Sequence, residues 1–578
     1  MARGVFVALV VCWTLIQLPG PAGVEAHAGD GRLEAVLRAR AHAPAGWSHV
    51  LLRTEDGKPA TARIRALGGL PGRAFASVGV QAARVPDTAL HALARLPEVS
   101  TISLDRPVRG AVQDLAPAGR IIGARWVQER LGYEGAGVGI ALIDSGVTAW
   151  HDDLDAARIV HFADFVNARA GLYDDYGHGT HVAGIIAGNG HHSNGARRGI
   201  APAADLVILK ALDGAGGGYI STVIAAIDYA IANRDAYNIR VINLSVSAGV
   251  YESYTKDPLT LAAKRAVDAG IVVVAAAGNL GEGVSGGAQY GGIAAPGNAP
   301  WVLTVGASSH NGTLDRADDE VAAFSSRGPA AIDRIAKPDL VAPGVGVESV
   351  AEPSSVLFAA HPEGRIPGEL DSISEPYLRL SGTSMAAPAV AATAALMLEA
   401  NPSLTPNGVK AILQFTAETH RDYDHYTQGA GFLNARGAVE LARRFREGAG
   451  LDLAAPASGD PVRWSRQLIW GKTRQTGGMI APDANAWMPG VVWGASRTPS
   501  GDPIVWGALC EPGEARCSGP AWTGASRPRG TGDAPEARFG EAACDDPACF
   551  PELWQWASTP TGEHGLVSGS VAREPEPR

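Results

Sequence analysis

The sequence has little charge, and positive charge is the scarcer sign. Its 49 Lys and Arg residues are set against 59 Asp and Glu residues, which leaves a net charge of −10 at pH 7. No basic stripe is present, so the composition excludes nucleic-acid binding as the main activity. Only 19% of the 578 residues are charged, whereas 72 are Gly, which predicts tight turns and closely packed helices. This length suffices for more than one domain.

Cysteine is absent from the middle of the chain. Cys12 lies in an N-terminal apolar segment, and the other four lie close to the C-terminus: Cys510, Cys517, Cys544 and Cys549. In an oxidising compartment these four predict two disulfides, with three alternative pairings. A zinc site with four thiolate ligands is the alternative, although the usual C-x-x-C pairs are missing.

A long apolar run is also missing everywhere but at the N-terminus. Residues 1–26 have the pattern of a secretory signal peptide, with Arg3 followed by the apolar run 5–18 and small residues at Val24 and Ala26. An N-terminal membrane anchor is the alternative, but the run is short for a full span. The sequence therefore predicts a secreted, extracytoplasmic protein.

The middle of the chain alternates short apolar runs with helical patterns. Predicted strands cover 138–144, 206–209, 240–244, 271–275 and 301–305, and predicted helices between them include 222–232 and 259–269. Apolar runs without alternation are typical of strands buried on both faces, which predicts an α/β fold with a mostly parallel sheet flanked by helices. Functional sites in such sheets lie at the carboxyl ends of strands, where Asp144 and Asn279 occur.

A candidate nucleophile, Ser384, lies in Gly382-Thr383-Ser384-Met385-Ala386-Ala387-Pro388. The preceding residues 377–380 predict a strand, and the apolar residues 389–400 predict a helix that ends at Asn401. Backbone N–H groups at a helix N-terminus face incoming negative charge, which suits a nucleophile beside a tetrahedral oxyanion. In isolation, the same pattern is more typical of a serine that only caps a helix.

Two upstream segments favour the catalytic interpretation. Residues 140–146 form an apolar run that ends in Asp144, and Gly177-His178-Gly179-Thr180-His181 begins a helical segment of small residues. Because imidazole titrates close to neutrality, His178 can take the proton of Ser384, and a carboxylate can fix the tautomer of that imidazole.

These segments, together with Val272–Asn279, resemble the subtilases, the subtilisin-like serine proteases, which share the chain order Asp, His, Ser. The resemblance runs from about residue 119 to residue 442. It implies a serine endopeptidase in which Asp144, His178 and Ser384 are catalytic and Asn279 donates a hydrogen bond to the oxyanion. His181 competes for the role of base, but the resemblance implies a structural role for it. A peptide-binding pseudoenzyme is the alternative, although every chemical residue is present.

A polypeptide substrate is expected to bind in an extended form, as an added strand. The predicted substrate-binding residues are Ser245, Val246, Ser247, Ala276 and Gly278. No acidic residue occurs in the predicted P1 pocket, which favours a small or apolar P1 side chain. We expect a monomer that requires no cofactor.

A structural calcium ion is the open point. The resemblance makes Asp153 a counterpart of a calcium ligand. The loop 190–198, however, is rich in His and Arg, whereas Ca²⁺ favours several oxygen ligands. We therefore predict no metal-ligand residue.

Two flanking regions complete the predicted organisation. Residues 27–112 have the pattern of a small α+β unit, with strands at 49–53, 74–80 and 99–104 and a helix at 87–96. By resemblance, this unit is a propeptide that assists folding, inhibits the enzyme and is cut off between Asp105 and Pro117. A permanent small domain is the alternative. The catalytic domain is predicted to cover 113–447.

Residues 448–578 form a Trp-, Gly- and Pro-rich tail that contains the four C-terminal cysteines. A short motif recurs in it as Ile469-Trp470-Gly471, Val492-Trp493-Gly494 and Val505-Trp506-Gly507. Its irregular spacing indicates a degenerate repeat rather than a solenoid. A disulfide-pinned or partly disordered tail is one interpretation, and binding to a surface or polysaccharide is the other.

Overall fold

The computed structural model describes residues 30–109, 120–283, 287–372, 374–447, 464–476 and 480–506. The predicted signal peptide, most of the predicted cleavage segment and all five cysteines lie outside the described residues.

Strands and helices alternate through most of the described chain. The strands are β1 (Trp47–Thr54), β2 (Leu70–Phe75), β3 (Val80–Pro86), β4 (Val99–Leu104), β5 (Pro107–Arg109), β6 (Gly139–Asp144), β7 (Ile159–Asp164), β8 (Asp205–Lys210), β9 (Gly217–Tyr219), β10 (Ile239–Leu244), β11 (Val272–Ala276), β12 (Leu303–Ser309), β13 (Glu320–Val321), β14 (Leu340–Pro343), β15 (Val347–Val350), β16 (Arg365–Ile366), β17 (Tyr377–Leu380), β18 (Gln467–Trp470) and β19 (Thr473–Thr476). The α-helices are α1 (Ala35–His42), α2 (Thr61–Ala66), α3 (Leu90–Ala94), α4 (Ala124–Trp126), α5 (His178–Ala187), α6 (Ile220–Ala232), α7 (Pro258–Asp268), α8 (Val356–Ala360), α9 (Thr383–Ala400), α10 (Pro406–Thr416) and α11 (Ala435–Arg446).

The central sheet contains seven parallel strands in the order β7-β8-β6-β10-β11-β12-β14, and β13 pairs antiparallel with β12. Successive residues of β6 face opposite layers: Ile140 and Leu142 join the apolar cluster of α5 and α9, whereas Ala141 and Ile143 join that of α6 and α7. Both faces are therefore buried, which explains the uninterrupted apolar strands. The predicted α/β fold is confirmed.

The N-terminal unit, residues 30–109, carries a four-stranded antiparallel sheet in the order β2-β3-β1-β4. The predicted strand at 74–80 is wrong, because these residues contain the turn between β2 and β3. Val78 N–H donates to the carbonyl of Phe75 (3.2 Å), and Gly79 closes the turn with φ of +65°. Such a left-handed conformation favours glycine.

The predicted helix at 87–96 is also shorter than expected. It begins as a 3₁₀ turn over Asp87–Ala89 and becomes α-helical only at Leu90–Ala94. The side chain of Asp87 does not cap this helix. It accepts hydrogen bonds from Gly46 N–H (3.0 Å) and Ser48 Oγ (2.7 Å), so it fixes the start of β1 instead.

The C-terminal segment, residues 464–506 without 477–479, packs on the catalytic fold. Trp470, Trp493 and Trp506 are 4%, 2% and 1% exposed, and the ring centroid of Trp470 lies 4.5 Å from that of Trp493 and 5.2 Å from that of Trp506. The Lys410 ammonium of α10 lies 4.7 Å from the centre of the Trp493 ring. These buried rings are not available to a polysaccharide, and the domain boundary after residue 447 stays a prediction.

One described helix, α9, is long and apolar enough to cross a membrane by length and composition alone. In this fold, however, 94% of it is buried within the protein, where it packs against the central sheet.

Candidate active site

Asp144 ends β6, a central strand of the parallel sheet. It is fully buried, and its Oδ1 accepts a hydrogen bond from Ser145 N–H (2.8 Å). The chain then turns at Gly146, whose φ is +121° and where a Cβ would lie 2.1 Å from the carbonyl oxygen of Tyr173. Glycine is therefore required to bring the residues that precede α5 beside the end of β6.

His178 is the first residue of α5 and is buried against Asp144. Its Nδ1 lies 2.7 Å from Asp144 Oδ1. The start of α5 is held by Asp174, which accepts hydrogen bonds from Gly177 N–H (2.8 Å), Thr180 N–H (2.8 Å) and Ser145 Oγ (2.8 Å). Asp174 and Ser145 thus connect the strand end to the helix start and fix the approach of the imidazole to the carboxylate.

The two histidines of α5 have different electrostatic environments. Burial alone would lower the pKa of His178, but the charge and hydrogen bond of Asp144, with a smaller effect of Asp174, raise it above its usual value. Burial, aided by His178, lowers the pKa of His181 to about 3. His181 Nε2 lies 3.0 Å from the carbonyl oxygens of Val347 and Leu378, so this imidazole is a neutral donor inside the fold. Only His178 of the two is paired with a carboxylate.

Ser384 lies in the first turn of α9 and is 2% exposed. Its Oγ donates to the carbonyl oxygen of Ser245 (3.0 Å), and Ser245 Oγ donates to the carbonyl oxygen of Ser384 (2.8 Å). Ser245 directly follows β10, the neighbour of β6 in the sheet. The candidate nucleophile is therefore held at the same sheet edge as Asp144.

Asn279 follows β11, the next strand of the sheet. Its Oδ1 accepts hydrogen bonds from Thr383 N–H (3.1 Å) and Thr383 Oγ1 (2.8 Å). Because Oδ1 faces Thr383, the Nδ2 donor of the same amide is turned the other way. This orientation agrees with a donor to an oxyanion beside Ser384. Sequence reasoning singled out Asn279 but missed Thr383, which orients it.

The predicted substrate-binding residues differ in exposure. Ser247 is partly exposed, whereas Ser245, Val246, Ala276 and Gly278 are buried. The neighbouring Ala248 bridges Ala295, with backbone hydrogen bonds of 3.0 and 2.9 Å, so the chain after β10 is tied to the segment around Ala295. Their role as subsites stays a prediction.

Sequence reasoning also missed the strand β9. Pro107, Val108 and Arg109 pair antiparallel with Tyr219, Gly218 and Gly217. The edge of β9 is thus occupied by an extended segment of the same chain, whereas the predicted pairing of a substrate beside Ser245, Val246 and Ser247 stays a prediction. Gly217-Gly218-Tyr219 gives no strand signal by composition, since glycine is disfavoured in strands.

Comparisons with known proteins agree with this geometry. The Subtilase family model matches residues 135–438. The chain is 37% identical over 371 residues to "Serine protease AprX" of Bacillus subtilis (strain 168), an alignment covering 63% of this chain and 80% of that protein. It is 33% identical to "Subtilisin E" of the same strain, covering 64% and 84%, and 34% identical to "Subtilisin DY" of Bacillus licheniformis, covering 54% and 93%. The chain therefore belongs to the subtilase family of serine endopeptidases.

Proposed function

We propose that the protein is a secreted serine endopeptidase made as a self-cleaving zymogen, with an acyl-enzyme formed on Ser384. Two contacts support this proposal most directly: the 2.7 Å approach of His178 to Asp144 and the pairing of β5 with β9. Secretion rests on the pattern of residues 1–26, and recovery of the protein from the culture medium would test it.

The catalytic step follows from the chemistry of the three side chains. His178 Nε2 takes the proton of Ser384 Oγ as Oγ attacks the scissile carbonyl carbon, and Nδ1–H donates to Asp144, which stabilises the imidazolium. The amide of Asn279 and the backbone N–H of Ser384 donate to the oxyanion. His178 then returns the proton to the leaving amine, and water releases the acyl group by the same steps in reverse order.

The contacts of the N-terminal unit support its role as an inhibitory propeptide. Phe75, Val78 and Val80 share a buried apolar cluster with Ala225 of α6. Ser77 Oγ donates to Asp228 on the same helix. The unit is thereby seated on the catalytic fold, and β5 leads from it along β9.

A buried ion pair holds the start of β5. Arg106, which is 1% exposed, pairs with Asp257, the N-cap of α7. The backbone between the N-terminal unit and the predicted cut is therefore fixed against α7 and β9. An extended strand in this position blocks substrate entry as long as it remains bound.

Intact mass of the purified wild-type chain beside Ser384→Ala tests the proposal. After expression into an oxidising compartment, we expect the wild type to lose the residues up to about 112 and the variant to keep them. A variant that matures like the wild type would show that another protease makes the cut. If both chains stay whole and a fluorophosphonate probe fails to label the wild type, the peptide-binding alternative is favoured instead.

A further inference from the structure

A second cluster of chemically active side chains lies away from the catalytic residues. His151 and Asp153 belong to the loop after β6, and His192 belongs to the loop after α5. One ligand atom from each residue can be chosen so that all three lie within 4.8 Å of one another. We call these three residues the His–Asp–His cluster. The three residues are 4%, 0% and 4% exposed, in chain order.

His151 is arranged as a ligand through Nδ1. Its Nε2 lies 2.6 Å from the carbonyl oxygen of Pro376, to which only a protonated nitrogen can donate. Nδ1 consequently carries the lone pair, and it accepts a hydrogen bond from Asp153 N–H (3.0 Å). A metal-bound histidine commonly donates its other ring N–H to a backbone carbonyl in this way. Metal binding would replace one hydrogen bond at Nδ1.

Asp153 presents a fixed carboxylate. Its Oδ2 accepts a hydrogen bond from Tyr377 Oη (2.6 Å), and its Oδ1 accepts one from the backbone N–H of His192 (2.8 Å). Oδ1 lies 3.8 Å from His151 Nδ1. Since each carboxylate oxygen has two lone pairs, Oδ1 can still coordinate an ion.

The burial of the His192 ring is not explained by hydrogen bonding within the fold. Both of its ring nitrogens are buried, and neither has a hydrogen-bond partner. A buried polar atom without a partner is unfavourable, because it has lost its hydrogen bonds to water and gained none in the fold. The nearby carboxylate of Asp152, whose side chain is 70% exposed, places Oδ2 3.5 Å from His192 Nε2. The site can therefore gain a fourth ligand from solvent-exposed Asp152.

The donor set does not fit calcium, which the resemblance suggested for Asp153. Ca²⁺ takes six to eight oxygen ligands, whereas two of the three clustered side chains are imidazoles. Imidazole and carboxylate together suit Zn²⁺, for which neighbouring ligands in a tetrahedral site lie about 3.3 Å apart. Two of the observed separations, 3.5 Å between His192 and Asp152 and 3.8 Å between His151 and Asp153, are close to that value, and the ligand atoms of His151, Asp153 and His192 all lie within 4.8 Å of one another.

We propose that His151, Asp153 and His192, with Asp152 as the fourth ligand, bind a transition-metal ion of the Zn²⁺ class. The ion joins the loop after β6 to the loop after α5. Asp144 is the last residue of β6, and His178 is the first residue of α5. Its role is structural, because all four ligands come from the protein and no position is left for substrate.

Cobalt(II) titration of the full chain carrying Ser384→Ala, without a histidine tag, tests the proposal. We expect a visible d–d spectrum of a four-coordinate ion, which Zn²⁺ abolishes, and a melting temperature that Zn²⁺ raises and Ca²⁺ does not. His192→Ala should lose both effects. The matched control is His191→Ala, which removes the exposed neighbouring imidazole and should retain both.

Two results would overturn the existence of this site, and a third would overturn the choice of ion. One is the absence of a four-coordinate cobalt spectrum in the Ser384→Ala chain, which needs no further variant and so does not depend on the folding of His192→Ala. The other is a metal response that is equal in His192→Ala and His191→Ala, which would place the ion elsewhere. A melting temperature raised by Ca²⁺ and not by Zn²⁺ would restore the calcium interpretation.

Discussion

The junction between the N-terminal unit and the catalytic fold contains buried carboxyl groups. Glu34 accepts from Leu104 N–H (2.8 Å) and faces Arg106, Glu252 and Asp257. Burial, reinforced by Glu252, raises the pKa of Glu34 to about 8, and burial and Asp257 raise the pKa of Glu252 to about 6. We predict that the cleaved propeptide is held less tightly as the pH rises.

The direction of this pH dependence of propeptide binding follows from proton linkage. A carboxyl group whose pKa is higher in the complex than in the separated propeptide takes up a proton on association. Binding is therefore strongest at low pH and weakens as the pH rises from the ordinary carboxyl value to the raised one. For Glu34 this window extends to about pH 8, and for Glu252 to about pH 6. One such group changes the affinity by at most about tenfold per pH unit, so Glu34 alone gives up to about 100-fold between pH 6 and pH 8.

The assay follows dissociation of the matured, propeptide-bound enzyme. The complex is diluted at pH 6, 7 and 8, and the released enzyme is then counted with a fluorophosphonate at one common pH, so that the titration of His178 does not enter. Glu34→Gln keeps an acceptor for Leu104 N–H but cannot ionise, and it should flatten the pH dependence. The exposed Glu55→Gln, in the same unit, should behave as the wild type. An equal slope in Glu34→Gln and wild type, or tighter binding at pH 8 than at pH 6, would refute the reasoning.

Other predictions concern catalysis and packing. Because the pKa of His178 is raised, kcat/KM should fall as the pH is lowered, with a midpoint above the usual pKa of histidine. A midpoint at or below that usual pKa would contradict this prediction. Asp144→Asn should lower kcat about 10⁴-fold in a peptide hydrolysis assay, since the imidazole loses its correct tautomer, and a loss below tenfold would exclude that role. Asn279→Ala should lower kcat about 10²–10³-fold with little change in KM, whereas a change in KM alone would indicate substrate binding. Trp493→Ala should cost about 3–5 kcal/mol of unfolding free energy, seen as a lower melting temperature of the Ser384→Ala form; an unchanged temperature would show that the ring is not part of the core.

The parallel sheet could be predicted because its signals are local. An apolar run such as 139–144 is bounded by a glycine and a carboxylate, so its length and burial can be recognised without knowledge of its partners. The strand Tyr377–Leu380 was predicted with its observed bounds. Asp144 ends one strand of this sheet and Asn279 follows another. Because parallel strands all end on the same side, the sequence predicts that both residues lie at one edge.

The supporting contacts could not be predicted, because they join residues that are distant in sequence. Asp174 and Ser145 are 29 positions apart, and neither belongs to a periodic pattern. The repeats that contain Trp470, Trp493 and Trp506 are also typical of a binding surface, and only the fold shows that these three rings are buried. His192 lies in a loop whose histidines have no spacing typical of a metal site. His151 lies in another loop, and only the fold brings the two histidines together.

The packing of the C-terminal segment has a consequence for the timing of synthesis. The apolar cluster behind the active site combines residues from Ile122 to Trp506, so it spans most of the chain. A ribosome delivers these residues in order, and the cluster stays incomplete until the last of them has emerged. The nucleophile-bearing helix α9 is made well before that moment, yet its packing is finished only afterwards. The protease domain thus cannot complete its apolar core before the chain has been made as far as Trp506.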